Sequence, residues 1–326
     1  MTNRATIEAM ARWLLDHDGY VVMGHVFPDG DAVGSCLGMW HALRALGKRA
    51  VVSLPGGVPK LYHWLPGADQ VVTGGDPLPF EPATALSIDA SDMERLGECG
   101  QKAFDACRDR GVIDHHSTNP GFGDILLLDG EAAAAGEIVV EVIGAMGLEL
   151  TREMAECLFV AISTDCGHFN YTNTRAQTFR AAAKCSEAGI DISGLTERLY
   201  RTRSLARTRL LATVLDGLQV SEDGRMAWAF LTDEMLSRHG ALREDNEGVV
   251  NYLQEIEGVI FAVLVEERGS QTKLSMRSRP SLNVADAVAV PLGGGGHPCA
   301  AGATVDLPMD AALQKALALA SAALDG

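Results

Sequence analysis

The stretch that decides the fold is Gly24–Ser35, which reads GHVFPDGDAVGS. It follows Tyr20–Gly24, a short run typical of a buried strand, and it leads into Ala32–Leu46, whose pattern is typical of a helix. Polar side chains between a strand and a helix lie at the carboxyl edge of a parallel sheet, where open α/β folds bind ligands. One imidazole and two carboxylates in this turn suit a divalent cation, although a solvated Asp-Gly-Asp turn has the same composition.

Strand-like and helix-like runs alternate through the first half of the chain. The predicted strands are Tyr20–Gly24, Arg49–Leu54, Ala85–Asp89, Gly111–Asp114 and Ile125–Asp129. The predicted helices are Ala32–Leu46, Met93–Arg108, Gly136–Met146, Arg152–Ile162 and Arg175–Ala188. This alternation predicts an α/β domain with a mostly parallel sheet and flanking helices.

The second half predicts a smaller α+β domain. Its expected strands are Arg225–Leu231, Val259–Glu266, Thr272–Arg277 and Gly302–Leu307. Its expected helices are Thr232–His239, Asp245–Ile256, Ser281–Ala289 and Asp310–Leu324. We therefore expect a first domain over residues 1–190, a linker helix over 191–216 and a second domain over 217–326, with a cleft between the two domains.

The composition excludes several classes of protein. Of the 326 residues 47% are hydrophobic, which excludes intrinsic disorder as the main state. No apolar run is long enough for a spanning helix, and the first residues show no signal peptide. Seven cysteines without a C-x-x-C pair favour a reducing cytoplasm. A net charge of −16 argues against binding long nucleic acids, which requires clustered cations.

Three further segments end apolar runs with acids and histidines: Ser87–Asp92, Gly111–Asn119 and Ala161–His168. Carboxylates and imidazoles gathered at one edge predict a two-metal site, which suits phosphoryl displacement. Mixed nitrogen and oxygen ligands favour Mn²⁺ over Mg²⁺, and Co²⁺ stays open. From the residues alone, the expected ligands are Asp29, Asp31, Asp89, His115 and Asp165, with His25 as a further candidate.

Two features of the second half suggest anion binding. Gly293–Gly302 reads GGGGHPCAAG, and amides without a neighbouring Cβ can approach a phosphate, although a flexible loop is the simpler alternative. Arg277 could grip a phosphate by a bidentate fork. An arginine island over 198–209 either attracts an oligonucleotide, forms the solvated face of a linker helix, or contacts another subunit.

The four acid and histidine segments, in this order, resemble the motifs of the DHH-family phosphoesterases, named for the triplet that here is Asp114-His115-His116. Gly293–Gly302 resembles the GGGH-x-x-A-A-G signature of the DHHA1 domain that accompanies this family's catalytic domain. Leu274–Ser278 resembles the strand that precedes that signature. The resemblance covers nearly the whole chain and implies a catalytic metal-binding domain followed by a DHHA1 substrate-binding domain.

Position by position, the resemblance implies roles for the site residues. One metal ion would be bound by His25 and Asp29, the other by Asp31, His115 and Asp165, and Asp89 would bridge both ions. The catalytic residues would be Asp89, Asp114 and His116, the last two orienting ligands or contacting the scissile phosphate. The substrate-binding residues would be Asn119, Arg277, Ser278, Gly294, Gly295, Gly296 and His297.

The resemblance also implies the reaction. We expect two divalent metal ions, most simply Mn²⁺, and hydrolysis of short oligoribonucleotides such as pApA, of 3′-phosphoadenosine 5′-phosphate, or of both, to mononucleotides. A cyclic-dinucleotide phosphodiesterase, a single-strand DNA exonuclease of the same family and a non-enzymatic nucleotide sensor stay open. The expected partners are short RNAs or nucleotides, with no long nucleic acid and no membrane, and a homodimer stays open.

One position departs from the family pattern. The fourth motif often reads T-D-T-G-x-F-R, and here Asn170 stands at the arginine position. The missing cation puts chain-length preference and rate in doubt rather than the chemistry. His168 could compensate, with an ordinary surface histidine as the simpler alternative.

Overall fold

The computed structural model describes residues 3–325. The chain divides into two compact units, Met1–Arg201 and Thr202–Gly326. The boundary lies inside the segment predicted as a linker. That segment is not one helix: Ile192–Thr196 and a wider helical turn over Glu197–Arg201 are separated from Leu205–Asp216 by residues 202–204. Ser204 caps the last of these helices by accepting a hydrogen bond from the Arg207 N–H, so the break has its own start signal.

The first unit is built on a seven-stranded sheet in which every neighbouring pair of strands is parallel. The strand order is β1-β7-β6-β5-β2-β3-β4. The strands are β1 (Asn3–Arg4), β2 (Tyr20–Met23), β3 (Ala50–Leu54), β4 (Val72–Thr73), β5 (Thr84–Ile88), β6 (Asp109–Asp114) and β7 (Ile125–Leu128). The predicted α/β class and its five strands are confirmed, and β1 and β4 are additions.

Helices cover both faces of this sheet, as a buried parallel sheet requires. They are α1 (Ile7–Asp16), α2 (Gly30–Ala45), α3 (Gly97–Ala106), α4 (Ala135–Ala145), α5 (Arg152–Asp165), α6 (Ala176–Glu187) and α7 (Ile192–Thr196). Residues of α1, α2, α4 and α5 form the larger core on one face, and α3 packs on the other. Because α2 is buried on nearly all sides, its start is held firmly beside the carboxyl ends of the strands.

The second unit is built on a mixed six-stranded sheet in the order β12-β13-β11-β10-β9-β8. The strands are β8 (Gln219–Val220), β9 (Met226–Leu231), β10 (Phe261–Arg268), β11 (Gln271–Ser278), β12 (Gly295–His297) and β13 (Ala300–Val305). The helices are α8 (Leu205–Asp216), α9 (Asp233–His239), α10 (Val249–Gln254) and α11 (Met309–Asp325). One face of the sheet packs on α11 and the other on α8, α9 and α10, which confirms the predicted smaller α+β unit.

Three predicted elements of this unit differ in extent. The helix expected over Asp245–Ile256 begins only at Val249, as α10, and a separate short turn over Arg243–Asn246 precedes it. The helix expected over Ser281–Ala289 is a short, wide turn over Ala285–Ala289, with Asn283 accepting from the Asp286 N–H at its start. The last strand begins at Ala300 rather than Gly302. Within residues 3–325, none of the helices combines the length and apolar character needed to cross a membrane.

Candidate metal centre

The acid and histidine segments converge because their strands are neighbours in the first sheet. The order β6-β5-β2 places three parallel carboxyl ends side by side. Asp89 directly follows β5, His115 directly follows β6, and His25 lies in the turn that leads from β2 into α2. Asp165 is the last residue of α5, which packs along α2, so the fourth motif ends a helix rather than a strand.

Six side chains meet there in two groups. In the first group the Nε2 atom of His25 lies 3.7 Å from Asp29 Oδ2 and 3.6 Å from Asp89 Oδ2. The second group forms around Nε2 of His115, with the nearest carboxylate oxygens as follows: Asp31 at 3.8 Å, Asp89 at 3.4 Å and Asp165 at 3.5 Å. Asp89 thus belongs to both groups. All six residues expected as metal ligands are brought together, in groups with the spacing of a metal site. His116, which was expected beside the ions rather than as a ligand, forms a further group of this spacing with Asp89 and His115, its Nδ1 atom lying 3.7 Å from Asp89 Oδ1.

Backbone carbonyls set the tautomers of the two imidazoles. Nδ1 of His25 lies 2.7 Å from the carbonyl oxygen of Val26, and Nδ1 of His115 lies 3.2 Å from that of Ala132. A carbonyl can only accept, so in each neutral ring Nδ1 carries the proton. The lone pair of Nε2 then faces the space beside the carboxylates where a metal ion would bind. Metal-binding histidines use this arrangement.

Asp89 is the residue whose surroundings most require a cation. It is buried, its backbone is left-handed with φ of 60°, and its Oδ1 atom is buried without a hydrogen-bond partner. Burial, followed by repulsion from Asp31, raises the pKa of Asp89 well above its usual range. A buried carboxylate oxygen with no donor is destabilising unless a positive ion compensates it. The donor set therefore fits a divalent metal ion at this position.

Other ionisable side chains of the site also have pKa values shifted by burial and by neighbouring carboxylates. Burial and the charge of Asp31 raise the pKa of Asp165 to about 7, and burial also raises the pKa of Asp31. Burial alone would lower the pKa of His25, but Asp29 and Asp89 outweigh it and raise that pKa to about 9. The protein thus concentrates negative charge in a desolvated site, which favours binding of cations.

Asp31 is held by a helix start far along the chain. Its Oδ2 atom accepts a hydrogen bond from the Ala135 N–H at 2.6 Å, and Oδ1 accepts from the Gly136 N–H at 3.0 Å and the Ser35 hydroxyl at 2.7 Å. The first amides of a helix lack partners inside the helix and favour a carboxylate. Asp31 is therefore fixed in position by α4.

In the Asp114-His115-His116 triplet, His115 belongs to a group of candidate ligands, whereas Asp114 pairs with His116. Asp114 is fully buried and accepts hydrogen bonds from Nδ1 of His116 at 2.8 Å and from the Asn119 amide at 2.7 Å. Burial alone would raise its pKa, but the hydrogen bonds from His116 and Asn119 lower it below the usual range. Asn119 is itself buried, donates also to the Ala90 carbonyl and accepts from the Gly121 N–H, which favours a positioning role over direct substrate contact.

The fourth motif forms a left-handed turn after Asp165. His168 and Phe169 both have positive φ, at 54° and 65°. Nδ1 of His168 lies 3.0 Å from the Ser163 hydroxyl, and the Tyr200 hydroxyl donates to the Ser163 carbonyl at 2.9 Å. The His168 side chain is exposed but its ring is held, so the structure leaves it available as the compensating group; Asn170 is also exposed.

The predicted substrate residues of the second unit lie on β11 and β12. Arg277 lines a cavity of about 330 Å³ together with Arg243, Lys273 and Ser275. Its Nε donates to Asn251 at 3.1 Å. Ser278 is buried and its hydroxyl donates to the Leu282 carbonyl, so it serves the local fold.

The glycine run ends in the short edge strand β12, which contains Gly295, Gly296 and His297. A Cβ on Gly294 would lie 2.0 Å from the Gly302 carbonyl oxygen, and one on Gly296 would lie 2.5 Å from that of Ala300. Close packing on β13 therefore requires these two glycines. Gly295 and His297 are exposed, and nothing lies within 4 Å of a Cβ on Gly295.

Several contributors to the site were not predicted. Ser35 was inside the quoted motif, but only its contact with Asp31 shows its role. Arg95, whose backbone carbonyl accepts a hydrogen bond from the Val26 N–H at 2.7 Å beside His25, has no sequence signal. Three arginines of the island contact residues of their own unit: Arg198 the Trp64 ring, Arg203 the Tyr252 hydroxyl and Arg207 the Glu247 carbonyl.

Comparison with known proteins identifies the family of the chain. Residues 20–162 match the model of the DHH family, N-terminal domain, and residues 225–326 match the DHHA1 domain. The bifunctional oligoribonuclease and PAP phosphatase NrnA of Thermus thermophilus is 34% identical over 295 residues, covering 90% of this chain and 86% of that protein. The protein of the same name from Bacillus subtilis is 27% identical, covering 89% and 90%.

A solved structure has the same overall architecture. The exopolyphosphatase-related protein of Bacteroides fragilis superposes with a TM-score of 0.91 at 28% identity, covering 97% of this chain and 95% of that one. The match therefore includes both units of the chain. With the two domain models in sequence order and a relative above 30% identity over most of both chains, the chain belongs to the DHH family, with a DHHA1 domain after its N-terminal domain.

Proposed function

We propose that the chain is a metal-dependent phosphoesterase that hydrolyses very short oligoribonucleotides and 3′-phosphoadenosine 5′-phosphate to mononucleotides. The observation that carries this proposal is the position of the buried Asp89 carboxylate between the two groups of ligands. Its Oδ2 atom lies 3.6 Å from Nε2 of His25, and its Oδ1 atom lies 3.4 Å from Nε2 of His115. The names of the relatives, oligoribonuclease and PAP phosphatase, support the substrate class. The seven cysteines are all free, which supports a location of the protein in the reducing cytoplasm.

The ligand assignment follows the two groups. His25, Asp29 and Asp89 would hold one divalent ion, and Asp31, Asp89, His115 and Asp165 would hold the second. Two imidazoles among the carboxylates favour Mn²⁺ over Mg²⁺, which prefers oxygen ligands. When bound, such a pair of ions supplies an activated water and stabilises charge on the attacking and leaving oxygens of a phosphoryl displacement.

The residues around the ions have their own tasks. Asp114 holds Nδ1 of His116, so Nε2 is the atom with which His116 would contact the scissile phosphate. Asn119 fixes the opposite oxygen of Asp114 and so keeps that pair aligned. In the second unit, Arg277 and the exposed Gly295–His297 strand would bind the nucleotide, since both offer donors to an anion.

The test is digestion of end-labelled RNAs of two to about 24 nucleotides with Mn²⁺, beside 3′-phosphoadenosine 5′-phosphate. We expect the shortest RNAs and the bisphosphate to be hydrolysed fastest. Asp89→Asn should reduce turnover to no more than about a few per cent, because both groups lose their shared anionic ligand. The matched control is Asp92→Asn in the same segment, which keeps its capping oxygen for the Arg95 N–H and should retain activity.

The alternative functions have distinct outcomes when cyclic dinucleotides and long single-stranded DNA are tested as substrates beside these RNAs. Faster hydrolysis of cyclic dinucleotides would identify a cyclic-dinucleotide phosphodiesterase, and preference for long single-stranded DNA would identify an exonuclease. Nucleotide binding without turnover of any phosphoester would contradict the proposal and favour a sensor. Substantial activity of Asp89→Asn would contradict the shared-ligand assignment.

A further inference from the structure

The most exposed large hydrophobic side chain among residues 3–325 lies inside the metal-binding turn. Phe27 is 88% exposed, and the next most exposed is Leu205 at 64%. Single exposed hydrophobic residues are ordinary on protein surfaces, so exposure alone implies nothing. The position of Phe27 is less ordinary, because it stands two residues from both His25 and Asp29.

The backbone of Phe27 is also strained. Its φ is 54°, in the left-handed region that glycine adopts readily and phenylalanine does not. A residue before proline is further biased towards extended conformations, and Pro28 follows. The four non-glycine residues with positive φ among residues 3–325 are Phe27, Asp89, His168 and Phe169, all in or beside the metal-binding motifs. Strain of this kind persists where the surrounding structure requires it, commonly at functional sites.

The turn around Phe27 is firmly held, so its exposure is not that of a loose loop. The Val26 N–H donates to the Arg95 carbonyl at 2.7 Å, and the Val26 carbonyl lies 2.7 Å from Nδ1 of His25. On the other side, Asp29 Oδ1 accepts from the Asp31 and Ala32 N–H groups and caps α2. The phenyl ring is thus presented to solvent from a rigid support beside the first group of ligands.

We propose that Phe27 is a substrate-binding residue that stacks on the nucleobase next to the scissile phosphate. This inference rests on the proposed function. Two Cα–Cα steps of 3.8 Å separate Phe27 from each flanking ligand, so its Cα lies within about 7.6 Å of theirs. An exposed aromatic face at that distance suits a base whose phosphate is held by the ions, and base–aromatic stacking tolerates every base. Stacking then strengthens binding of the nucleotide and favours purines, whose rings offer the larger face.

The test compares variants on substrates with and without a base. We expect Phe27→Ala to raise KM for pApA roughly tenfold, with kcat changed less than about twofold, and to leave KM for an abasic analogue unchanged. Phe27→Trp should restore KM, whereas Phe27→Leu, which keeps apolar bulk but has no aromatic face, should not. Leu242→Ala, at an exposed leucine of the second unit, serves as the control.

A spectroscopic readout separates stacking from a structural role. Adding AMP should quench the fluorescence of Phe27→Trp beyond any quenching seen with the wild-type chain, which has four tryptophans of its own. Equal effects of Phe27→Ala on pApA and on the abasic analogue would overturn the inference, as would full rescue by Phe27→Leu. A wild-type chain that hydrolyses no nucleotide would instead overturn the proposed function.

Discussion

At the scale of single residues, the site depends on which oxygen and nitrogen atoms are already engaged by the protein. Asp31 and Asp114 are both buried carboxylates, but backbone amides of α4 hold the first, whereas His116 and Asn119 hold the second. Asp89 differs from both because its Oδ1 atom has no hydrogen-bond donor. Asp89 therefore needs a cation, whereas Asp114 orients its neighbours.

The orienting role of Asp114 leads to a prediction. Asp114→Asn preserves the shape of the side chain but weakens the hydrogen bond from Nδ1 of His116 and places an amide against that of Asn119. We expect kcat on pApA to fall about 10- to 100-fold, the range for residues that orient a metal site, while Mn²⁺ still binds. Steady-state kinetics together with calorimetric Mn²⁺ titration measure the two effects separately.

The control for this variant is Asp76→Asn, at an exposed position outside the site. Loss of Mn²⁺ binding in Asp114→Asn would make Asp114 a ligand rather than an orienting residue. Unchanged kcat would contradict any role of the Asp114–His116 hydrogen bond in the reaction.

The sequence predicted which residues form the site, but not the contacts that hold them in place. Carboxylates and imidazoles after neighbouring parallel strands predicted His25, Asp29, Asp31, Asp89 and His115, since those strand ends meet at one edge. The sixth residue, Asp165, was also predicted, although it ends the helix α5 rather than a strand. The hydrogen bond from Ala135 to Asp31 joins residues 104 positions apart and leaves no local pattern. The strained backbone of Phe27 has no signal either, because proline after it favours a different conformation.

At the scale of elements, the close approach of α2 and α5 places Asp31 and Asp165 on the same site. Gly34 makes this contact: a Cβ there would lie 2.3 Å from the Cys157 carbonyl oxygen and 3.0 Å from the Ala161 nitrogen. Backbone atoms cannot rotate away as a side chain can. The two helices would therefore have to separate to accommodate even one methyl group.

This contact predicts opposite effects of one substitution at two helical glycines. Gly34→Ala should destabilise the chain by about 1–3 kcal/mol through overpacking. Gly144→Ala, in α4 with nothing within 4 Å of the added Cβ, should stabilise it by about 0.5–1 kcal/mol through helix propensity. Urea unfolding followed by circular dichroism gives both values. A Gly34→Ala variant as stable as the unsubstituted chain would show that the α2–α5 contact tolerates a larger residue.

Elements were predicted well where hydrophobic periodicity was strong and less well where backbone packing decided. Five strands of the first sheet contain continuous apolar runs, and their positions were predicted within two residues, whereas the two-residue strands β1 and β4 were not predicted. The glycine run gives no periodic pattern, and its pairing with β13 depends on the tight approach at Gly294 and Gly296. The linker was predicted as one helix because Ser204, which caps the start of α8, was not recognised as a capping residue within a polar segment.

At the scale of the whole molecule, the charge of −16 agrees with the proposed preference for short substrates. Several of the acids are gathered at the metal centre, where two divalent ions would neutralise four charges. The remaining acidic surface repels long polyanions, which need many phosphate contacts, more than it repels a dinucleotide. Acidity is therefore compatible with hydrolysis of nucleic-acid fragments.

The measurement that tests the central claim most directly is anomalous diffraction at the manganese edge from crystals grown with Mn²⁺. We predict two anomalous peaks per chain, one bounded by His25, Asp29 and Asp89 and the other by Asp31, Asp89, His115 and Asp165. Both peaks should weaken together in Asp89→Asn, since that residue serves both groups. Absence of manganese from these groups, or two full peaks in Asp89→Asn, would contradict the account.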